Sequence, residues 1–285
     1  MLKRTRFAPS PSGLLHLGNA YSALSCQAWA KQHDALLLLR VEDIDFTRCK
    51  PKHTQQMLND LDWLGIKFSD VSFQQQRLAL YEQALQQLIE LGVLYPCFCT
   101  RKQILETLDA QQASPSRQGQ GLSYHCLDPY PKTCKQLDSA QRQQKMLTTA
   151  YAWRLDCEAV AQEIGQHGAW FDIDGAAHHF DIFRDVGDVI IGRKDIHFSY
   201  HLCVVVDDAA QGITHVIRGE DLRRSTPVHR ILQRLLAYDS LQYLHHKLIT
   251  NQEGNRLAKS KASPTLKALR DEGQTAKQVR LSLDF

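Results

Sequence analysis

Several stretches of this chain carry residues that can do chemistry. The first is Arg6-Phe7-Ala8-Pro9-Ser10-Pro11-Ser12-Gly13, followed by His16-Leu17-Gly18-Asn19. A guanidinium, two hydroxyls and an imidazole stand here on a turn that leads into a helix. Helix-start N–H groups lack intrahelical partners and lie at the positive end of the dipole, so such a turn suits an anion. A phosphate and a carboxylate together fit the place. On local grounds alone the stretch is equally a plain turn with His16 as a solvated cap. It has neither the Gly-Lys-Ser/Thr of a P-loop nor the dinucleotide glycine fingerprint. A second stretch, Arg40-Val-Glu42-Asp43-Ile-Asp45, places acids just past an apolar run, where open α/β sheets bind ligands. A third pairs Cys97 and Cys99 with Tyr124-His125-Cys126 and Tyr130-Pro-Lys-Thr-Cys134. Two thiols one residue apart can hold one tetrahedral ion and need two more ligands. On chemistry alone His125 with Cys126 or Cys134 completes the set; buried cysteines without a metal are the other reading. Near the end, Arg256, Lys259, Ser260 and Lys261 form a basic run that is either a solvated surface or a clamp for a leaving pyrophosphate.

These residues need a frame. Arg6 and Phe7 close a short strand, the prolines and Gly13 force a turn, and Leu17, Ala20, Tyr21, Leu24 and Ala28 recur at helical spacing. Leu36–Val41 is a continuous apolar run and reads as a buried parallel strand. Helices are expected over 52–64, with Met57, Leu58, Leu61 and Leu64 inward, and over 78–91, with Leu80, Tyr81, Leu85 and Leu88 inward. Strands follow at 151–155 and 180–184, and 186–191 continues the same sheet. Val204-Val205-Val206 favours a strand by its β-branching. Thr214–Leu222 is a strand ending in a charged turn, with a helix from Thr226-Pro227, whose proline suits a first turn. Strand 243–249, a turn at 251–254 and packing residues Leu266, Leu269 and Val279 close the chain. Residues 111–121 read as a flexible surface loop and 140–145 as exposed.

Composition sets the bounds. The 285 residues are 43% hydrophobic and carry a net charge of +3, enough for a sizeable core and too weakly basic to demand nucleic acid. No apolar run is long enough to cross a membrane and no apolar stretch follows Met1-Leu-Lys-Arg, so neither a span nor a signal peptide is expected. Eight cysteines in such a chain argue for a reducing cytoplasm rather than a disulfide scaffold.

The order of motifs resembles class I glutamyl-tRNA synthetases. Arg6-Phe-Ala-Pro-Ser-Pro-Ser-Gly and His16-Leu-Gly-Asn19 are similar to that family's opening, with Asn19 for a final His. Arg40-Val-Glu-Asp-Ile-Asp45, Trp63-Leu-Gly-Ile66, Gln74-Gln-Gln-Arg77, Asp188 to Asp208 and Thr214-His-Val-Ile-Arg-Gly-Glu-Asp-Leu222 extend the likeness, and Arg256-Leu-Ala-Lys-Ser260 looks like a diverged copy of its Lys-Met-Ser-Lys-Ser loop. Ile196 stands where the family usually has Gly. The resemblance implies an α/β fold: a class I Rossmann-type parallel sheet with an inserted α/β zinc-containing subdomain, and a helix rather than a strand after Tyr200. It implies a first catalytic half over 1–95, the insertion over 96–185, a second half over 186–240 and the basic-loop region with a short tail over 241–285.

The resemblance also assigns roles. Arg6, Phe7, Ala8, Pro9, Ser10, Glu42, Tyr200 and Arg218 would hold glutamate, with Arg218 facing a carboxylate; its plain alternative is an ion pair with Glu220 or Asp221. His16, Gly18, Asn19, Arg256, Lys259 and Ser260 would hold ATP and its Mg²⁺, with His16 and Lys259 acting in catalysis. A short branch of the family has Cys-x-Cys followed by Tyr-Pro-Gly-Thr-Cys. By that likeness one structural zinc is held by Cys97, Cys99, Tyr130 and Cys134, with Lys132 replacing the usual Gly. The same branch lacks the anticodon-reading helical domain, for which this chain leaves no room. It implies a monomeric, cytoplasmic enzyme that activates glutamate with ATP without tRNA and moves it to queuosine in tRNA(Asp). The rival readings are charging of a tRNA 3′ end and an inactive tRNA-binding module.

Overall fold

A computed structural model of the chain describes residues 2–113, 127, 129–249 and 264–285. His125, Cys126, the turn at 251–254, Arg256, Lys259, Ser260 and most of the 111–121 stretch lie outside the described residues. Strand β1 (Arg4–Phe7) leads through the proline turn into α1 (Leu17–Gln32), and β2 (Leu36–Val41) follows. β2 runs parallel to β1 and to β3 (Asp70–Phe73), with Arg6 opposite Leu38 and Leu39 opposite Val71. Five of its six residues are buried, as expected for a strand covered on both faces. Between β2 and β3 lies α2 (Pro51–Trp63), and α3 (Leu78–Glu90) follows β3.

The middle of the chain builds a separate antiparallel sheet. Here β5 (Ala152–Leu155) lies between β4 (Leu94–Cys97) and β8 (Ile190–Gly192). Two helices, α4 (Arg101–Ala113) and α5 (Ser139–Thr148), precede β5, and α5 buries no residue. After β5 come α6 (Cys157–Ile164), β6 (His167–Asp172) and β7 (Ala177–Asp181). The last third supplies α7 (Tyr200–Ala210), β9 (His215–Gly219), α8 (Thr226–Leu235), β10 (Gln242–His246), α9 (Leu266–Asp271) and α10 (Ala276–Ser282). β10 runs parallel to β9 and β6, and β7 closes that sheet antiparallel to β6. The two parallel systems meet where the Thr214 amide donates to the Arg4 carbonyl at 3.0 Å. The ends of β1, β2 and β9 thereby come together in one crevice, which is where an open α/β sheet binds its ligand.

Local pattern and tertiary packing disagree at a few places. Val204–Val206 is helical, not a strand. All three are buried, and the Ser199 hydroxyl caps α7 by accepting from the Leu202 amide; burial outweighs a propensity penalty below about 1 kcal/mol per residue. Phe180–Arg184 is not one strand. β7 ends at Asp181, whose carboxylate accepts from the Phe183 and Arg184 amides and opens a π turn over Ile182–Val186. The following β8 joins the antiparallel sheet instead of continuing β7. In α1, Ala28 is exposed while Ala23, Gln27, Trp29 and Ala30 face inward. α1 packs over β1, β2 and β9 together, so more than one stripe is covered. In α3, Leu80 points outward and Ala84 replaces it in the core. Leu266, Leu269 and Val279 pack beneath α1 with Phe7, Leu24 and Trp29.

Candidate active site

At the crevice the chain concentrates buried charge. Arg6 on β1 and Arg40 on β2 converge on Asp208 of α7, with Arg6 Nε at 2.9 Å and Arg40 Nη1 at 2.7 Å from Oδ1. Burial pushes the Asp208 carboxyl up, but Arg6 and Arg40 outweigh it and hold the group below its ordinary range. The adjacent Asp207 accepts from Tyr81, Gln74 and Arg77. α7 thus tethers both halves of the sheet through two consecutive acids that the sequence reading left without a role. The available signal was chemical: two carboxylates inside an apolar helix need buried cations, and Arg6 and Arg40 are the cations of neighbouring strands.

Glu42 emerges from β2 into a cavity of about 190 Å³ that is also lined by Ser10, Gln74 and Tyr200. Its backbone amide donates to the Pro9 carbonyl at 3.0 Å, which seats the proline turn against β2. Burial pushes the Glu42 carboxyl up to about 7, against the pull of Arg40 and Arg6. Phe7 faces the core under α1, Ala8 is half-buried and Pro9 is buried. Tyr200 closes the cavity from α7. Burial raises its phenol, opposed by Arg218 and Arg6.

Arg218, at the end of β9, is only 4% exposed. Its Nε donates to His245 Nε2 at 3.3 Å, Nη1 to His229 Nδ1 at 3.0 Å and Nη2 to the Thr226 hydroxyl at 2.7 Å. Among the described residues no carboxylate bonds it, so the expected alternative, an ion pair with Glu220 or Asp221, is not what the structure contains. Arg has five N–H donors. Three meet neutral acceptors, and one N–H on each terminal nitrogen is left over. Thr226, His229 and His245 were missed from sequence, because His229 sits within the apolar face of α8 and reads as packing.

The turn after Gly13 ends in His16, which caps α1. Its Nδ1 accepts from the Gly18 amide at 3.1 Å, while Asn19 Oδ1 accepts from the His16 amide at 3.2 Å. A Cβ at position 18 would stand 3.0 Å from the His16 ring, so a side chain there would push the capping imidazole aside by a few tenths of an ångström. Thr265 pairs with His16, and the Leu266 amide donates to the Leu15 carbonyl at 2.8 Å. The described chain therefore leaves β10 at His246 and, from Thr265, runs beside the cap of α1.

About the other sheet lies the cysteine group. Cys97 Sγ and Cys99 Sγ are 3.3 and 3.5 Å from the Tyr130 hydroxyl, and Cys99 Sγ is 3.4 Å from Cys134 Sγ. A tetrahedral ion at about 2.3 Å from each sulfur sets its ligands about 3.8 Å apart, so this set fits a zinc-sized ion. Lys194 donates to the carbonyls of Phe98 and Cys99 at 2.8 and 2.9 Å, fastening the loop to a cavity of about 1170 Å³ that extends to Tyr200, His201 and Ser225. Lys132 sits at φ +57, which accounts for glycine being usual there. The seven described cysteines are free thiols.

No helix among the described residues is long and apolar enough to cross a membrane. The family described as tRNA synthetases class I (E and Q), catalytic domain, matches residues 3–281. A glutamyl-Q tRNA(Asp) synthetase of Rhodobacter capsulatus is 40% identical over 97% of this chain and 98% of its own. One from Thiobacillus denitrificans is 40% identical over 92% and 79%. The solved glutamate tRNA ligase of Elizabethkingia meningosepticum superposes with a TM-score of 0.71 at 23% identity, covering 96% of this chain and 54% of that one; the chain spans about half of that ligase, and the likeness establishes the fold. This chain belongs to the class I tRNA synthetases of the glutamate and glutamine group, beside the relatives named glutamyl-Q tRNA(Asp) synthetase.

Proposed function

We propose that this chain activates glutamate with ATP in the absence of tRNA and then transfers the glutamyl group to queuosine in the anticodon loop of tRNA(Asp). The observation that carries the first step is Arg218: a buried cation with neutral neighbours and one spare N–H on each terminal nitrogen. A planar fork of that kind fits a carboxylate by two parallel hydrogen bonds. Glu42 supplies the opposite charge for an ammonium, and Tyr200, Ser10 and Arg6 with the Phe7-Ala8-Pro9 turn complete a pocket for an amino acid bearing two carboxylates. The acceptor is supported by the near full-length similarity to the glutamyl-Q tRNA(Asp) synthetase of Rhodobacter capsulatus.

In the first step an oxygen of the glutamate α-carboxylate attacks the α-phosphorus of ATP and pyrophosphate leaves. His16 at the cap of α1, Gly18 and Asn19 stabilise phosphate charge, and the pairing of His16 with Thr265 supports a role for Arg256, Lys259 and Ser260 at the pyrophosphate with its Mg²⁺. In the second step a cyclopentene hydroxyl of queuosine attacks the activated carbonyl and AMP leaves. No side chain becomes covalent, so catalysis is positioning and electrostatics. Cys97, Cys99, Tyr130 and Cys134 would hold one structural zinc, which would lock the inserted segment beside the acceptor cavity. A monomer in a reducing cytoplasm suits the free thiols of the described cysteines.

The test is glutamate-dependent ATP–pyrophosphate exchange without tRNA, followed by transfer of labelled glutamate to tRNA(Asp) with and without queuosine. Exchange with glutamine in place of glutamate, or label mapping to the 3′ end, would overturn the reading.

A further inference from the structure

Beyond Arg218 the structure holds a row of two imidazoles. Arg218 Nη1 lies 3.0 Å from His229 Nδ1, and His229 Nε2 lies 3.2 Å from His201 Nδ1. A guanidinium only donates. His229 Nδ1 must therefore accept, which leaves the His229 proton on Nε2. That N–H donates to His201 Nδ1, so the His201 proton is on Nε2. The order of protons follows from geometry and donor chemistry alone.

The surroundings keep both rings neutral, as this order requires. His229 is 2% exposed. Burial, then the Arg218 cation, pushes His201 down to about 4 and His229 well below its ordinary range. The Tyr200 ring leans on both imidazoles, with centroids at 5.5 and 5.6 Å. His201 itself lines the cavity of about 1170 Å³ that reaches toward the cysteine group, and among the described residues nothing is bonded to its Nε2. The row starts at Arg218, the group proposed above to bind the amino acid, and ends as a single N–H donor in that cavity.

We propose that His201 orients the acceptor hydroxyl in the transfer step, and that His229 is the positioning residue that holds Arg218 and His201 in register. The inference rests on the two-step reading above and names a residue for its second step. The His201 Nε2–H donates to the hydroxyl oxygen of the incoming nucleoside and turns its other lone pair toward the glutamyl carbonyl; the new ester C–O bond replaces the carbonyl-to-phosphate bond, and the hydroxyl proton passes to the phosphate of the departing AMP. His201 is not the base in this step: its cavity-facing nitrogen already carries a proton, and its other nitrogen is occupied by His229.

The two half-reactions separate this role from a structural one. His201→Phe lowers transfer to queuosine-containing tRNA(Asp) at least tenfold more than it lowers glutamate-dependent exchange. His201→Gln, whose amide can accept from His229 and donate to the cavity, recovers most of that ratio. His229→Leu raises the KM for glutamate in exchange, and His229→Gln restores it. Thermal unfolding of each variant checks the fold. An equal loss in both half-reactions for His201→Phe, an unchanged transfer-to-exchange ratio, or no recovery in His201→Gln overturns the proposal. A wild-type chain without glutamate-dependent exchange overturns the reading of the whole site, and this proposal with it; a wild type that exchanges and transfers beside a His201→Phe variant with the wild-type ratio rejects His201 alone.

Discussion

The proposed amino-acid pocket and the cysteine group are built in opposite ways. The pocket gathers Arg6, Glu42, Tyr200 and Arg218 from both ends of the sequence and holds them with charges that belong to the protein: Asp208 between two arginines, Asp207 among Gln74, Arg77 and Tyr81. The cysteine group draws its four side chains, Tyr130 among them, from positions 97 to 134 and packs them in a small core with Tyr95, Ile104 and Leu137. The first is preformed, because its counter-ions are covalently part of the chain. The second leaves a cluster of donors that repel or merely share protons until a cation joins them. Rigidity in one place thus comes from buried ion pairs, and in the other it would come from the metal ion proposed above.

The largest expected effect breaks the internal counter-ion. Asp208→Ala leaves Arg6 and Arg40 buried without their shared carboxylate, and removing one partner of a buried pair costs about 3–5 kcal/mol. Urea unfolding should register that loss across the whole transition. Cys134→Ala should lower metal content and leave the unfolding midpoint far less displaced. Equal global losses from the two variants would mean that the cysteine group is as integral to the core as Asp208, and the contrast would fail.

Next comes the charge proposed to meet the ligand. Arg218→Ala should reduce kcat/KM for glutamate in pyrophosphate exchange by about a hundredfold or more, since a buried charged hydrogen-bonding partner is worth about 2–5 kcal/mol. Arg218→Lys should remain severely impaired, because a point charge replaces a two-pronged donor. A lysine variant close to wild type would remove the two-bond reading of the carboxylate.

A smaller, graded effect belongs to Glu42. The folded pocket holds its proton up to about 7, whereas its ordinary value is 4.5. Its contribution to stability is therefore fully present below about 4.5 and is lost as pH rises through about 7. Bound ammonium favours the ionised form, so ligand binding has the opposite sign. The KM for glutamate should rise toward tenfold per unit as pH falls below about 7 and level off above it. Glu42→Gln should raise KM overall and flatten that limb. A pH-independent KM from 5 to 8 in the wild type, an interval of roughly three units centred near the ordinary histidine range, would show that Glu42 does not titrate against the ligand.

Much of the candidate pocket was legible because motif order carried it. Arg6, Glu42, Tyr200 and Arg218 stand in recognisable sequence surroundings, and β2 announced itself by the apolar run Leu36–Leu39. What was not legible depends on three-dimensional burial. The Val204–Val206 triplet favours a strand by its own stereochemistry and is helical because α7 buries all of it. Asp181 ends β7 through a side-chain cap that no hydrophobic period contains. Ala28 and Leu80 point outward because each helix follows the shape of the sheet and neighbours beneath it rather than an ideal stripe. His201, His229 and His245 are silent in sequence for a related reason: an imidazole on an apolar helix face, or on a strand as in His245, looks like packing until the guanidinium it serves is placed beside it.

The smallest effect sharpens the contrast at a single dihedral. Lys132 holds φ +57 at the start of the turn that delivers Cys134. For a residue with a Cβ that conformation costs about 1–2 kcal/mol. Its ammonium gives little back, since the 3.3 Å pair with Glu158 is 42% and 57% exposed, and such pairs contribute at most about 1 kcal/mol. Lys132→Ala keeps the strain and removes the pair; Lys132→Gly removes both but gives the unfolded loop more freedom, at about 0.5–1 kcal/mol. The two variants lack the same ion pair, so their difference isolates strain against entropy. Lys132→Gly should bind zinc about two- to fivefold tighter than Lys132→Ala in a chelator competition, since about 1 kcal/mol is a factor of roughly five. Because the amino-acid pocket takes none of its ligand contacts from this turn, the KM for glutamate should be the same in both variants. A change in glutamate KM that tracks the zinc affinity would show that the guest-dependent region also sets the geometry of the preformed one.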